Sequence, residues 1–216
     1  MIREPVEFSS APGGVIRGIR IPVKDGCKKI LFVHEFGRDL DEFGSLPERF
    51  ADLGYEPVAI DLPGHGLSEG NDLDLALIVE RVREIVAQLQ HEDSLMGLVM
   101  SGRVATVGSF LGRAEGVVAQ VLINPELDVE IAGQQSRAQS IRMILHGDGQ
   151  NLAGTKTQRF FSPLLGDKML VFNVAVTSGV SEISRVSNLL THVELFFHRY
   201  LKPQAEIDGA RHERSS

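Results

Sequence analysis

The chain has 216 residues, of which 43% are hydrophobic and 24% are charged, and this composition suits one globular domain with a sizeable core. The formal net charge is −7 with acidic and basic residues interspersed, so we expect no nucleic acid partner. No apolar run reaches the roughly 20 residues of a membrane-spanning helix, and we expect no membrane association. The first ten residues lack a signal-peptide core and Cys27 is the single cysteine, which together predict a cytoplasmic protein.

Short β-rich runs alternate with stretches of helical periodicity, which predicts an α/β fold with a mostly parallel sheet and helices on both faces. The predicted strands, in chain order, are 15–23, 28–36, 56–62, 93–99, 116–124, 140–147 and 168–176. Apolar residues at three- and four-residue steps predict amphipathic helices over 75–89 and 183–201. Gly54 and Gly166 follow two further helical stretches as C-caps would. We predict one domain over 1–201 and a fraying tail over 202–216.

Two adjacent stretches, "ILFVHEFGRDLDEF" and "LPERFADLGYEPVAIDLPGHGLSEG", resemble the first half of an α/β-hydrolase. In that superfamily a strand leads into an H-G-F-G-like oxyanion loop, and the next strand ends in D-x-P-G-H-G-x-S. The resemblance implies the α/β-hydrolase fold from about residue 15 to residue 201, with a backbone N–H of the "HEFG" loop facing an oxyanion. Glu35 stands where that loop has a small residue. Its carboxylate would repel negative charge if it pointed inward, and an outward orientation is the alternative.

The stretch "SLMGLVMSGRVA" (94–105) corresponds to the strand and turn that present the nucleophile. Laid without gaps on the common form L-V-G-H-S-M-G-G-A-V-A, it places Gly97 at the first glycine and Val99 at the nucleophile. Ser101 then takes the position of the following glycine. The alternative register places Ser101 at the turn, with Val99 and Arg103 where glycines belong. We favour the first register because bulky residues suit those glycine positions poorly.

The other two triad positions are also replaced in this alignment. Gln150 stands at the position of the acid, and Asp148 matches an aspartate that is ahead of the acid in many relatives. Val180 stands where the family has the catalytic histidine. His212 imitates the ending that carries that histidine, but it follows the last helix. The resemblance therefore implies a degenerate Ser-His-Asp triad, with catalysis by Ser101 and Asp148 as the alternative.

We predict a pocket at the carboxyl edge of the sheet, where open α/β sheets bind ligands. The residues expected to line it are His34, Glu35, Phe36, Val99, Met100, Gln150 and Val180. The segment 127–138 is too short for the multi-helix lid of many relatives, so an open apolar pocket is expected.

One predicted role for this pocket is binding a small apolar or acyl-bearing ligand, or a partner protein, with a homodimer as one form. Another is non-covalent acid/base chemistry through Glu35 or His34. The runner-up is an esterase or thioesterase built on Ser101. No cofactor and no metal is expected.

Overall fold

A computed structural model describes residues 1–10, 14–24, 28–71, 74–90, 95–109, 111, 116–125, 140–147, 167–172 and 180–201. Within these residues the strands are β1 Glu4–Ser10, β2 Gly14–Arg20, β3 Lys28–Val33, β4 Glu56–Ile60, β5 Leu95–Ser101, β6 Val117–Ile123, β7 Ile141–His146 and β8 Lys168–Phe172. The α-helices are α1 Leu46–Asp52, α2 Leu75–Leu89, α3 Gly102–Gly108 and α4 Ser187–Tyr200. Two 3₁₀-helices span Leu40–Phe43 and Val180–Ser184.

The strands form one sheet in the order β1-β2-β4-β3-β5-β6-β7-β8. The β1–β2 and β2–β4 pairs are antiparallel, and every pair from β4 to β8 is parallel. Strand β3 lies between β4 and β5, so the chain leaves β3 toward one side of the sheet and later returns to its other side. The carboxyl ends of β3 and β5 thus flank the switch point of the sheet, where α/β folds bind their ligands.

The central strands are buried because helices cover both faces of the sheet. Helices α2 and α3 pack on one face, where Ile78, Val82 and Ala105 join the apolar core. Helices α1 and α4 pack on the other face, where Phe50 and Phe197 meet edge to face with ring centroids 5.5 Å apart. Burial on both faces explains why β3 and β5 are continuously apolar in sequence.

A buried arginine, Arg142 of β7, holds the end of helix α3 against the sheet. Its Nε and Nη2 atoms donate to the carbonyl oxygen of Ser109, just beyond the helix, at 3.2 and 3.0 Å. Burial lowers the pKa of the Arg142 guanidinium to about 10. This contact helps to fix the helix that begins at the site described below.

The structure confirms the predicted fold class, the mostly parallel sheet and the helices on both faces. The strand β1 was not predicted, because the charged Glu4 and Glu7 interrupt the apolar pattern before the buried Phe8. Those carboxylates pair with Arg20 and Arg17 on β2. The predicted helix end at Gly166, the segment 127–138, the tail 202–216 and Cys27 lie outside the described residues.

The pairing of β5 with β6 shifts register between Met96 and Gly97, where Val118 of β6 is the extra residue. A β-carbon built on Gly97 would lie 2.6 Å from Cε1 of Phe197 on helix α4. The absence of a side chain at Gly97 therefore serves the packing of α4 on the sheet. The sequence alignment had instead assigned this glycine to the nucleophile turn.

None of the helices in the part of the chain that the structure describes is long and apolar enough to cross a membrane.

Candidate functional site

The candidate site lies where the chain leaves β3 and β5. Strand β3 ends at Val33 and delivers His34, Glu35 and Phe36 into a loop. Strand β5 ends at Ser101 and turns directly into α3. Since β3 and β5 are adjacent and parallel, these two exits meet at the same edge of the sheet.

His34 is a buried structural residue. The N–H of Leu62 donates to its Nε2 at 2.9 Å, so this nitrogen carries no proton. The other ring nitrogen, Nδ1, then donates to the carbonyl oxygen of Glu35 at 2.7 Å. Burial lowers the pKa of His34 and favours this neutral form. With both nitrogens engaged and the side chain fully buried, His34 does not line an open pocket, contrary to our prediction.

The loop after β4, "DLPGHGLSEG", is organised by the buried carboxylate of Asp61. Its Oδ1 accepts from the N–H of Leu40 at 2.9 Å, and its Oδ2 accepts from the N–H of Leu67 at 3.0 Å. The hydroxyl of Ser68 donates to the Asp61 carbonyl oxygen at 2.7 Å. A β-carbon on Gly66 would lie 2.0 Å from Oδ2, so this position requires glycine.

His65 joins the same loop to the "HEFG" segment. The N–H of Gly37 donates to His65 Nε2 at 2.9 Å, so Nδ1 carries the proton and donates to the carbonyl oxygen of Pro63. The His65 ring also lies beside the ring of Phe36, with centroids 6.2 Å apart. Both histidines of the quoted motifs therefore hold backbone segments in place.

The turn after β5 is formed at Gly102, which has a φ of 56°. Val99 lies inside the strand, opposite Phe32 and Val121, and is fully buried. The structure thus corrects the gapless register, which placed Val99 at the turn. The physical reason is that the buried apolar residues Leu98, Val99 and Met100 continue β5 between β3 and β6 as far as Ser101.

Met100 is also buried rather than exposed to a pocket. A β-carbon built on Gly108 would lie 2.2 Å from its sulfur, so the side chain packs under helix α3. Met100 and Val99 belong to the apolar cores on opposite faces of the sheet. The prediction that these two residues line the site is corrected accordingly.

The carboxyl group of Glu35 lies against Gly102. A β-carbon built on Gly102 would be 2.1 Å from Cδ and 2.3 Å from Oε1 of Glu35. The Glu35 carboxylate therefore occupies the space into which a side chain at the turn would project. The sequence left an inward and an outward orientation of the Glu35 carboxylate as alternatives. In the structure it points inward, toward the turn after β5.

Glu42, in the 3₁₀-helix Leu40–Phe43, connects the loop after β3 with the end of β5. This residue was not identified from the sequence. Its Oε2 accepts from Ser101 Oγ at 2.7 Å and from the N–H of Glu35 at 3.0 Å. The N-cap Asp39 begins this 3₁₀-helix by accepting from the N–H of Asp41. No sequence motif marks Glu42, because its contact with Ser101 spans 59 residues.

Ser101 itself is almost completely buried, with 1% of its surface exposed. Among the described residues its hydroxyl is bonded to Glu42 and to no histidine. Val180, which is predicted to stand at the position of the family histidine, is buried at the start of the second 3₁₀-helix. Gln150, Asp148 and His212 lie outside the described residues.

No group of three or more His, Cys, Asp or Glu side chains in the described ranges is arranged to hold a metal ion.

The chain has the α/β-hydrolase fold. The features that define this class are the sheet topology, the two loops at the switch point and the turn after β5. An esterase from Pyrococcus furiosus superposes with a TM-score of 0.77 and 14% identity, covering 93% of this chain and 92% of that one. A dienelactone hydrolase from Anabaena variabilis gives a TM-score of 0.75 and 16% identity, covering 93% and 99%. The thioesterase domain of the curacin biosynthetic pathway gives 0.66 and 11% identity, covering 88% and 100%.

Sequence similarity to curated proteins is limited to part of the chain. The 2-succinyl-6-hydroxy-2,4-cyclohexadiene-1-carboxylate synthase of Escherichia coli is 32% identical over 93 residues, which is 42% of this chain and 36% of that protein. The corresponding synthase of Shigella boydii matches equally. The match thus spans about a third of the length of these relatives. No protein-family model matches the chain.

Proposed function

We propose that this protein binds a small carbonyl-bearing ligand at the switch point of the sheet without the chemistry of a Ser-His-Asp triad. The observation that carries the proposal is the Glu35 carboxyl group over Gly102. The turn that presents a nucleophile in a serine hydrolase has no side chain here. A carboxylate from the neighbouring loop takes the space instead.

Electrostatics at the turn favour a neutral carbonyl over an oxyanion. Among the described residues, the N–H of Phe36 donates to no acceptor, so it is available to a ligand oxygen. A full negative charge on that oxygen would face the carboxylates of Glu35 and Glu42, and like charges at short range repel. Binding of an uncharged carbonyl oxygen at this N–H is therefore favoured over stabilisation of the oxyanion of a tetrahedral intermediate.

A second candidate function is acid/base chemistry by Glu35 on the bound ligand. Its carboxyl group lies where a reacting group would meet the turn, and a carboxyl group is a proton donor or acceptor according to its ionisation. The names of the relatives include a synthase as well as hydrolases, so this fold carries more than one class of reaction. We do not propose His34 for this role, because both of its ring nitrogens are hydrogen-bonded to backbone groups.

A third candidate, an esterase or thioesterase using Ser101, is favoured by one contact. The Ser101 hydroxyl donates to the Glu42 carboxylate at 2.7 Å, and a carboxylate is a base. Against it stand the burial of Ser101 and its place in the strand before the turn.

A fluorophosphonate probe, with p-nitrophenyl esters and acyl thioesters as substrates, tests the serine hydrolase alternative. We expect no labelling and no turnover above background, because an activated serine is required for both. The control is Ser101→Ala. Labelling of the unmodified protein that disappears in Ser101→Ala would establish the third candidate and overturn our proposal.

Titration with 2-hexanone, followed by amide resonances, tests ligand binding. We expect shifts at Glu35, Phe36 and Gly102, and no shifts there would contradict the proposal. Comparing Glu35→Gln with Glu194→Gln on helix α4 then separates binding from acid/base chemistry. Proton exchange at the α-carbons of the bound ketone, faster than background and lost only in Glu35→Gln, would establish the second candidate.

A homodimer formed over the candidate site is part of the same proposal and has its own measurement. Size-exclusion chromatography with light scattering at micromolar concentration distinguishes monomer from dimer. A monomer would leave the ligand site in place and exclude the homodimer.

A further inference from the structure

Arg103 is the first residue after the turn, and its side chain is exposed. Its guanidinium carbon lies 5.8 Å from the centroid of the Phe36 ring, within the range of a cation–π contact. Several other surface arginines have carboxylate partners, such as Arg17 with Glu69 and Arg185 with Glu182. In the described ranges, no carboxylate forms an ion pair with Arg103.

Two consecutive contacts place this guanidinium beside the proposed ligand position. The Glu35 carboxyl group lies against Gly102. The residues that follow these two in the chain, Phe36 and Arg103, form the cation–π contact. The Phe36 ring is itself packed beside the His65 ring. The guanidinium of Arg103 is thus held over the ring of the residue that follows Glu35, and the loop after β4 supports the position of that ring.

We infer that Arg103 is a specificity-determining residue that selects ligands carrying a carboxylate in addition to the carbonyl group. This inference rests on the proposed function of the same site. A guanidinium presents paired N–H donors that match the two oxygens of a carboxylate. Stacking on Phe36 restricts the side chain before binding, so less conformational freedom is lost when the ligand arrives.

A carboxylate suits this site better than a phosphate. An anion bound to Arg103 would approach the carboxylate of Glu35, the neighbour of Phe36 in the chain, and that of Glu42, which accepts from the Glu35 N–H. A phosphate dianion would experience about twice the repulsion of a monoanion from those charges, whereas a single guanidinium compensates one charge.

Three probes test the inference by amide chemical-shift titration: 5-oxohexanoate, its methyl ester and inorganic phosphate. The acid and the ester share the ketone and differ in the negative charge. We expect 5-oxohexanoate to bind at least tenfold more tightly than the ester, and phosphate to bind more weakly than 5-oxohexanoate. Arg103→Gln is expected to weaken 5-oxohexanoate at least tenfold and to leave the ester unchanged.

The matched control is Arg199→Gln, because Arg199 also stacks on an aromatic ring, that of Tyr200, on helix α4. We expect this variant to leave both affinities unchanged. Equal affinities of acid and ester, or an unchanged ratio in Arg103→Gln, would overturn the inference and leave the proposed function standing. Phosphate binding more tightly than 5-oxohexanoate would overturn the choice of a carboxylate. If neither ketone shifts the amides of Glu35, Phe36 and Gly102, the proposed function and the inference both fail.

Discussion

The loop after β4 and the turn after β5 meet at the same edge of the sheet, but they use their residues differently. In the loop, Asp61, His65 and Ser68 bind backbone groups of neighbouring segments. In the turn, Gly102 has no side chain, and Glu35 fills the space from outside. The polar residues by which the loop resembles α/β-hydrolases thus support the architecture in this chain. The motif in the loop after β4 therefore indicates the fold, but it does not indicate which chemistry takes place at the turn after β5.

The strongest way to break the comparison is Asp61→Ala. This substitution removes the hydrogen bonds that the N–H groups of Leu40 and Leu67 donate to the carboxylate, and a hydrogen bond to a charged group contributes about 1.5–3 kcal/mol. We therefore expect the free energy of unfolding to fall by about 3–5 kcal/mol, measured by urea denaturation.

The exposed Asp52 at the end of α1 provides the control. Asp52→Ala is expected to change the free energy of unfolding by less than about 0.5 kcal/mol. Equal effects of the two substitutions would show that the carboxylate of Asp61 does not organise the loop.

Val99→Ser tests where the turn lies. Because Val99 is buried within β5, the substitution removes apolar contacts and buries a hydroxyl, at a cost of about 2–3 kcal/mol in urea denaturation. We expect no esterase activity toward p-nitrophenyl esters, even when Val180→His and Gln150→Asp are added. Turnover by the triple variant would support the gapless register, in which residue 99 is at the nucleophile position, and would contradict a turn at Gly102.

Much of the fold could be predicted from the sequence because its signals are local. The buried run "KKILFV" and the stripe of helix α2 each identify an element without knowledge of its neighbours. The site depends on contacts that are distant in sequence. Strand β5 continues between its neighbours to Ser101, so the turn lies at Gly102, and the hydrogen bond of Ser101 with Glu42 joins segments 59 residues apart. A gapless alignment has no means of detecting either feature.

A double-mutant cycle of Gly102→Ala and Glu35→Gly sharpens the description of the turn. Gly102→Ala alone places a β-carbon at positive φ and against the Glu35 carboxyl group, so we expect a loss of about 1–2 kcal/mol in the free energy of unfolding. In the Glu35→Gly background the clash is absent, and the cost is expected to be smaller by at least about 0.5 kcal/mol. Additive effects would mean that Glu35 does not occupy this space.

The smallest expected effect is the pH dependence that His34 gives to stability. Burial lowers the pKa of His34 in the folded protein below its ordinary value of 6.5. Between these two pKa values the unfolded chain binds more protons, so stability falls as pH decreases from about 6.5 and levels off below the folded pKa, with a slope of at most about 1.4 kcal/mol per pH unit.

We expect this slope in urea denaturation to be reduced in His34→Asn, whose amide oxygen is an alternative acceptor for the Leu62 N–H. His192→Asn on the exposed face of α4 is the control and should leave the slope unchanged. An undiminished slope in His34→Asn would show that His34 is not held neutral between the two loops.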